Sequence, residues 1–144
     1  MAEALTEADV EKVVDDWYKL LDVHAPVDDV LPLLADEELE MQFPEGTLHG
    51  HEAFKGWYET VTNRFFDEVH TMKELNIAPD GDTADVKLVV NWQAKIWDPP
   101  AAKSVWLGFD AYQTWVVKRS VAGQPQIVKY VVDNLDPMEG SASL

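Results

Sequence analysis

The sequence contains no cysteine among its 144 residues. Disulfides, cysteine-ligated zinc, iron–sulfur clusters and a thiol nucleophile are therefore excluded. Basic residues are also scarce, because 11 lysines and arginines stand against 27 acidic residues, for a formal net charge of −16. Such a chain has no positive stripe to meet phosphates, which argues against binding nucleic acid or an anionic membrane surface.

Long hydrophobic runs are missing as well. No segment of the sequence reaches membrane-spanning length, and the first residues lack the apolar core of a secretion signal. We therefore expect a cytoplasmic protein. No nucleophile elbow, phosphate-binding loop or dinucleotide fingerprint occurs, so the sequence implies no cofactor.

Apolar residues, in contrast, make up 47% of the chain, and six of them are tryptophan. This composition is typical of a folded domain with a sizeable core. The length predicts a single domain over residues 1–144, with ends of about 1–5 and 138–144 that we expect to be flexible.

The first half of the chain has helical periodicity. Apolar residues at helical spacing predict a first helix over 6–21, opened by a capping box. A short helix follows over about 28–35, then a strand over 39–43, and a third helix begins near Gly50.

The second half predicts four strands, over 70–78, 83–97, 104–119 and 126–134. Short turns rich in proline, glycine and aspartate join them, which indicates antiparallel pairing. Two of these strands are too long to stay flat, and Gly108 is a candidate bend. A curled sheet with three amphipathic helices on its concave side would leave a hollow for a small molecule. The predicted fold is therefore α+β, a cone-like roll on a strongly curved, mostly antiparallel sheet.

This order of elements resembles the nuclear-transport-factor-2-like superfamily, and within it the SnoaL-like polyketide cyclases and the ketosteroid-isomerase-like proteins, whose fold is also called cystatin-like. Five stretches carry the resemblance, namely 13–18, 46–54, 69–72, 79–86 and 108–112. It implies a hydrophobic pocket, and acid/base chemistry without a cofactor in those members that are enzymes. The superfamily is functionally mixed, so the fold alone does not establish an activity.

The family's functional residues match this sequence only in part. Trp17 is at the position of a pocket tyrosine of the isomerases, and Phe43, before Pro44, is at the position of their general-base aspartate. Asp110 matches their second aspartate. SnoaL-like cyclases pair a similar aspartate with a histidine about 14 residues upstream, where this chain has Lys95-Ile96-Trp97.

Asp110 is the first catalytic candidate. If it shares the concave face with Trp106, Gly108 and Tyr112, an apolar hollow would raise the pKa of its carboxyl by desolvation, and it could transfer protons. The alternative is a register shifted by one residue, which turns Asp110 to water and Phe109 inward.

His70 is the second catalytic candidate, because a histidine near the pocket mouth could relay protons or orient a substrate. The alternative is a strand-end histidine bonded to a backbone carbonyl. His49 and His51 are two residues apart, but no third ligand stands at useful spacing, so we predict no metal site.

Large aromatic residues are the candidate ligand-binding wall. The alternative for each of them is simple packing in the core. The candidates are Trp17, Tyr18, Phe43, Trp57, Trp92, Trp106 and Tyr112.

The sequence leaves three functional hypotheses. The first is a cofactor-free isomerase, cyclase or dehydratase acting on a small hydrophobic or aromatic molecule through Asp110, with His70 orienting it. The second is a non-catalytic binding or assembly module of the same fold. The third is a structural homodimer whose interior is filled by tryptophans. In each case a homodimer could form through the polar face of residues 87–95.

Overall fold

The start of the first helix is set by a local sequence signal. Helix α1 spans Glu7–Asp22, and the Thr6 hydroxyl accepts the main-chain N–H of Asp9 while the Asp9 carboxylate accepts that of Thr6. This reciprocal capping box confirms the predicted start of the helix. The computed structural model describes residues 4–143.

Two further helices and six strands follow. Helix α2 (Val27–Val30) is shorter than predicted and continues into a 3₁₀ turn at Leu31–Leu33, which contains Pro32. The bounds of the remaining elements are β1 (Glu40–Phe43), β2 (Gly46–His49), α3 (Gly50–Arg64), β3 (Phe66–Asp80), β4 (Thr83–Ile96), β5 (Val105–Arg119) and β6 (Pro125–Pro137).

All six strands form one sheet, in the order β2-β1-β6-β5-β4-β3. Only β1 and β6 are parallel, and every other neighbouring pair is antiparallel. The α+β fold with a mostly antiparallel, curved sheet is therefore as predicted. Strand β2 was not predicted, because a four-residue edge strand after a Pro-Glu-Gly turn has too short a pattern to distinguish it from a loop.

The long strands bend at bulges. Register shifts lie between Phe66 and Val69 and between Met72 and Glu74 on β3, and two more occur between β5 and β6. Gly108, the candidate bend, pairs with Gln93 of β4 without a register shift. Gly108 instead permits a close contact: an added Cβ would lie 2.5 Å from the Trp106 ring and 2.7 Å from the Met138 sulfur.

The core lies between helices α1 and α3 and the inner face of the sheet. Trp17 of α1, Phe54 of α3 and Trp115 of β5 are fully buried there, and the Trp17 ring contacts the rings of the other two. Each of these residues falls on the apolar side of its own periodic pattern, so local sequence and packing agree.

One end of the described chain is hydrogen-bonded to the turn between β3 and β4, and the other to strand β5. The Leu5 N–H donates to the Gly81 carbonyl (2.8 Å), and the Ala142 N–H donates to the Trp106 carbonyl (3.0 Å). Of the ends predicted to be flexible, residues 1–3 and 144 lie outside the described residues. No helix within 4–143 is long and apolar enough to cross a membrane.

Candidate functional site

A cavity of about 390 Å³ lies between α3, the end of β1 and the inner face of strands β3–β6. Its size is that of a pocket for a small organic molecule. The interior is therefore not filled by tryptophans, as the third hypothesis required. Apolar and aromatic side chains form most of the wall, namely Leu21, Phe43, Pro44, Trp57, Tyr58, Val61, Phe65, Val90, Trp92, Ala111, Tyr130, Val132 and Leu135.

Three of the predicted aromatic residues line this cavity. Phe43 stacks on Trp57, with ring centroids 4.5 Å apart and planes inclined by 14°. Trp92 meets Phe65 edge to face at 5.0 Å. These flat, rigid surfaces suit an apolar or aromatic ligand.

Trp17 and Tyr18 lie in the core instead of the cavity wall. Trp17 is wholly buried, and its ring packs against Trp115 and Tyr130. Tyr18 is also buried, and its ring centroid is 4.7 Å from that of His70. Both belong to α1, whose apolar face packs beneath the cavity, so they support the site without forming its wall.

Asp110, Trp106 and Tyr112 lie on the opposite, outer face of β5. The condition under which Asp110 would face the hollow is therefore not met, because the buried side chains of β5 are those of the alternate residues, among them Leu107, Phe109 and Ala111. The alternative that the sequence left open, a shift of one residue, is the observed arrangement. Two aromatic residues on the outer face had made that face look like the inner one.

The surroundings of Asp110 are polar. Its carboxylate accepts hydrogen bonds from the Asn91 amide (3.0 Å) and the Lys73 ammonium (3.1 Å). These two donors, the Asn91 amide first, lower the pKa of Asp110. This direction is the reverse of the one expected for a carboxyl in an apolar hollow.

His70, in contrast, lines the cavity and has a carboxylate partner. Its Nδ1 lies 2.6 Å from Asp22 Oδ1, and its main-chain N–H donates to Asp22 Oδ2 at 3.3 Å. Since the carboxylate only accepts, Nδ1 carries the proton of the neutral ring and Nε2 is the basic nitrogen. Nε2 has no hydrogen-bond partner within residues 4–143. The carbonyl partner considered as an alternative is not the observed one.

A second carboxylate, Glu68, lies two residues before His70 on the same face of β3 and also lines the cavity. One of its oxygens accepts the Trp92 indole N–H at 3.0 Å, and the other contacts His24 Nε2. His24, just beyond α1, has a left-handed backbone with φ of 50°. The end of α1 and the start of β3 are thus joined by two histidine–carboxylate pairs.

Gln113 is a buried polar residue in the cavity wall. Its Oε1 accepts from the Tyr18 hydroxyl (2.9 Å) and from the Trp115 indole N–H (3.0 Å). Because an indole nitrogen only donates, this contact fixes which end of the amide is oxygen. Burial raises the pKa of Tyr18 well above its ordinary value and also raises the pKa of Tyr130.

Asp22, Glu68 and Gln113 were missed by reasoning from the sequence. Asp22 and His70 are 48 residues apart, and no local pattern links them. Gln113 did leave a signal, since it is the polar residue in the otherwise apolar series of β5 that runs from Leu107 to Val117. A polar side chain in an apolar stripe indicates a specific buried partner.

The two histidines near α3 do not line the cavity. His49 is the residue before the helix, and His51 Nε2 lies 3.0 Å from the Leu34 carbonyl oxygen. Within residues 4–143 no group of three or more histidine, aspartate or glutamate side chains could hold a metal ion.

The sequence of residues 2–131 matches the family model of the SnoaL-like domain. The chain belongs to the SnoaL-like family. None of the curated proteins compared with this SnoaL-like chain matches it significantly.

Solved structures share the fold of this SnoaL-like protein. The hexachlorocyclohexane dehydrochlorinase LinA-type3 from Novosphingobium barchaimii LL02 has a TM-score of 0.75 and 16% identity, over 95% of this chain and 92% of that one. A nuclear transport factor 2-like superfamily protein from Salmonella enterica serovar Typhimurium LT2 has a TM-score of 0.72 and 14% identity, over 94% and 91%.

A third structure, a protein of unknown function with a cystatin-like fold from Nostoc punctiforme PCC 73102, has a TM-score of 0.69 and 14% identity, over 98% and 99%. At these identities the likeness shows the fold alone.

Proposed function

We propose that this protein is a cofactor-free enzyme in which His70 is the general base for a small hydrophobic or aromatic substrate. The observation that carries the proposal is the hydrogen bond from His70 Nδ1 to Asp22, at the wall of an otherwise apolar cavity. A histidine held by a carboxylate in a water-poor pocket is a typical arrangement for proton transfer.

The chemistry follows from the protonation of the pair. His70 Nε2 takes a proton from an activated carbon of the substrate, and the electrons of the broken C–H bond form a new double bond. Asp22 holds the ring in the required tautomer and stabilises the imidazolium that forms. In an isomerisation, the proton then returns to a different carbon.

The same abstraction also supports an elimination. There the leaving group departs from the neighbouring carbon with its bonding electron pair, either as chloride or as water. In the second case the departing hydroxyl oxygen receives the proton that His70 Nε2 took from carbon. The fold relative named a hexachlorocyclohexane dehydrochlorinase makes an elimination a good first reaction to try on this chain.

The aromatic wall supplies the binding part of the proposal. Phe43, Trp57 and Trp92 present flat apolar surfaces to the cavity. Asp110 has no part in the proposed proton transfer, because its carboxylate lies on the outer face with Asn91 and Lys73.

A carbon acid that needs no leaving group tests the proposal without knowledge of the natural substrate. We would incubate the protein with 2-tetralone in deuterium oxide and follow exchange of its acidic C–H protons by NMR. We expect exchange above the buffer rate, and a loss of about 10²–10⁴-fold in His70→Asn and Asp22→Asn. Hexachlorocyclohexane, with chloride release as the readout, tests elimination.

Two controls accompany this experiment. Asp110→Asn must exchange at the wild-type rate, and His49→Asn must do the same, since neither residue lines the cavity. If 2-tetralone binds and wild-type exchange equals that of buffer, the enzyme proposal fails and the non-catalytic binding module is the better description.

The oligomeric state and the cellular location are two further proposals. We infer a homodimer through the outer face of the sheet, where Val69 and Tyr112 are exposed apolar residues beside polar Asn91 and Gln93. Analytical ultracentrifugation of Tyr112→Glu against wild type tests it, since a monomeric wild type refutes the dimer. The cytoplasmic location rests on composition, and cell fractionation tests it.

A further inference from the structure

The cavity contains a carboxylate that the proposed proton transfer does not use. Glu68 lies in the wall, and only 10% of its side chain is exposed. Burying a charge is costly unless partners compensate it. Trp92 and His24 each contact one of its oxygens. Two side chains from other parts of the chain therefore compensate the burial of this carboxylate in an apolar wall.

The two contacts fix where Glu68 can accept. The Trp92 indole N–H lies on one carboxylate oxygen and His24 on the other, so the group is held in one orientation. Each carboxylate oxygen has two lone pairs, and these contacts use one on each. One lone pair on each oxygen is left unused by these contacts, so a ligand that hydrogen-bonds to Glu68 must supply the donor.

The charges around the cavity favour the same class of ligand. Glu45 and Glu68 line it, and Asp22 lies directly behind His70. Arg64 is the arginine in the described wall, and its guanidinium is 2.7 Å from an oxygen of Asp98. An anionic ligand would therefore meet a field of its own sign, in a chain whose net charge is −16.

We infer that Glu68 is a specificity-determining residue: it accepts a hydrogen bond from a hydroxyl of a neutral, ring-containing substrate and excludes carboxylate analogues. This deepens the proposed function, and it rests on the same cavity. The substrate class is a neutral hydroxylated ring compound, whose hydroxyl lies at Glu68 while its reacting carbon faces His70.

Three probes with one ring system test the inference by binding alone. We would measure Kd at pH 7 for 2-naphthol, 2-methoxynaphthalene and 2-naphthoate by quenching of tryptophan fluorescence, with calorimetry as a check. We expect 2-naphthol to bind about tenfold tighter than 2-methoxynaphthalene, because a hydrogen bond to a charged group is lost in the latter. We expect 2-naphthoate to bind weakest.

Glu68→Gln then assigns the effect. We expect the preference for 2-naphthol over 2-methoxynaphthalene to fall to about twofold or less, and 2-naphthoate to bind about tenfold tighter than it binds wild type. Glu45→Gln is the matched control, since it removes the same charge from the cavity wall and must keep the naphthol preference. If Glu68→Gln does not fold, as judged by circular dichroism, Glu68→Asp retracts the carboxylate and must lose the preference too.

The outcomes separate this inference from the proposed function. An unchanged naphthol preference in Glu68→Gln, or equal effects of the two glutamate variants, overturns the inference. A preference lost only in His70→Asn places the hydroxyl at His70 Nε2 and overturns it as well. Failure of deuterium exchange with an intact naphthol preference refutes the catalytic proposal and leaves the binding role of Glu68 standing.

Discussion

Replacing Gln113 by leucine tests how much the side-chain amide of this cavity-wall residue contributes to the stability of the fold. Leucine has nearly the same size, so the main change is the loss of one buried acceptor. The Tyr18 hydroxyl and the Trp115 indole N–H both donate to Gln113 Oε1 and are buried. Gln113→Leu therefore leaves two donors to find new partners.

The magnitude follows from what each donor has left. An unsatisfied buried donor costs about 1–3 kcal/mol. The Trp115 N–H loses its partner outright, while the Tyr18 hydroxyl still has the hydroxyl of Tyr130 beside it. We therefore expect a loss of about 3 kcal/mol in the free energy of unfolding, which is a fall in Tm of about 10 °C for a domain of this size.

Urea denaturation followed by tryptophan fluorescence measures this loss. Gln124→Leu is the matched control, because Gln124 is exposed in the turn between β5 and β6, and its effect should stay within about 0.5 kcal/mol. In a double-mutant cycle, Tyr18→Phe should cost about 1 kcal/mol less in the Gln113→Leu background than in wild type. A loss below about 0.5 kcal/mol for Gln113→Leu would refute the account of a shared acceptor.

Two further predictions concern charge and pH. Asp110→Asn should cost less than about 1 kcal/mol at pH 7, because its Lys73 partner is about half exposed. Because the pKa of Asp110 is lowered in the folded protein, its stabilisation is present above the unfolded pKa of about 3.9 and is lost as pH falls through the folded pKa. An equal difference in unfolding free energy between wild type and Asp110→Asn at pH 3 and at pH 7 would contradict this account. Burial raises the pKa of Tyr18, so above about pH 10 its hydroxyl loses its proton more readily in the unfolded chain than in the folded protein. The free energy of unfolding therefore falls as pH rises above about 10. Tyr18→Phe should therefore lose stability less steeply than wild type above pH 10 in denaturation curves, and identical slopes would rule this out.

The local elements could be predicted from the sequence because their signals are short-ranged. The capping box at Thr6 and the apolar spacing of α1 act within a few residues, and both are observed. Apolar and polar residues alternate along β4, and Val90 and Trp92 of the apolar series line the cavity. Element order and turn chemistry were then sufficient to predict the curved, mostly antiparallel sheet.

The inner face of β5 could not be predicted with the same certainty. Side chains alternate with a period of two, so a choice between two registers moves every residue to the opposite face. Trp106 and Tyr112 made the outer face look buried, while Gln113 made the inner one look polar. Contact with α1, where Tyr18 meets Gln113, distinguishes the two registers in the folded molecule.

The sequence by itself determined the fold and the family, and it named seven aromatic candidates for the cavity wall, of which Phe43, Trp57 and Trp92 line the cavity. Tertiary structure decided which polar groups meet at the cavity: it brought Asp22 to His70 across 48 residues and His24 to Glu68 across 44. The physical reason is one of range. Secondary structure follows from neighbours along the chain. A hydrogen-bonded site depends instead on how the end of a helix packs against a strand that is distant in sequence, and only tertiary packing sets the distance between their side chains.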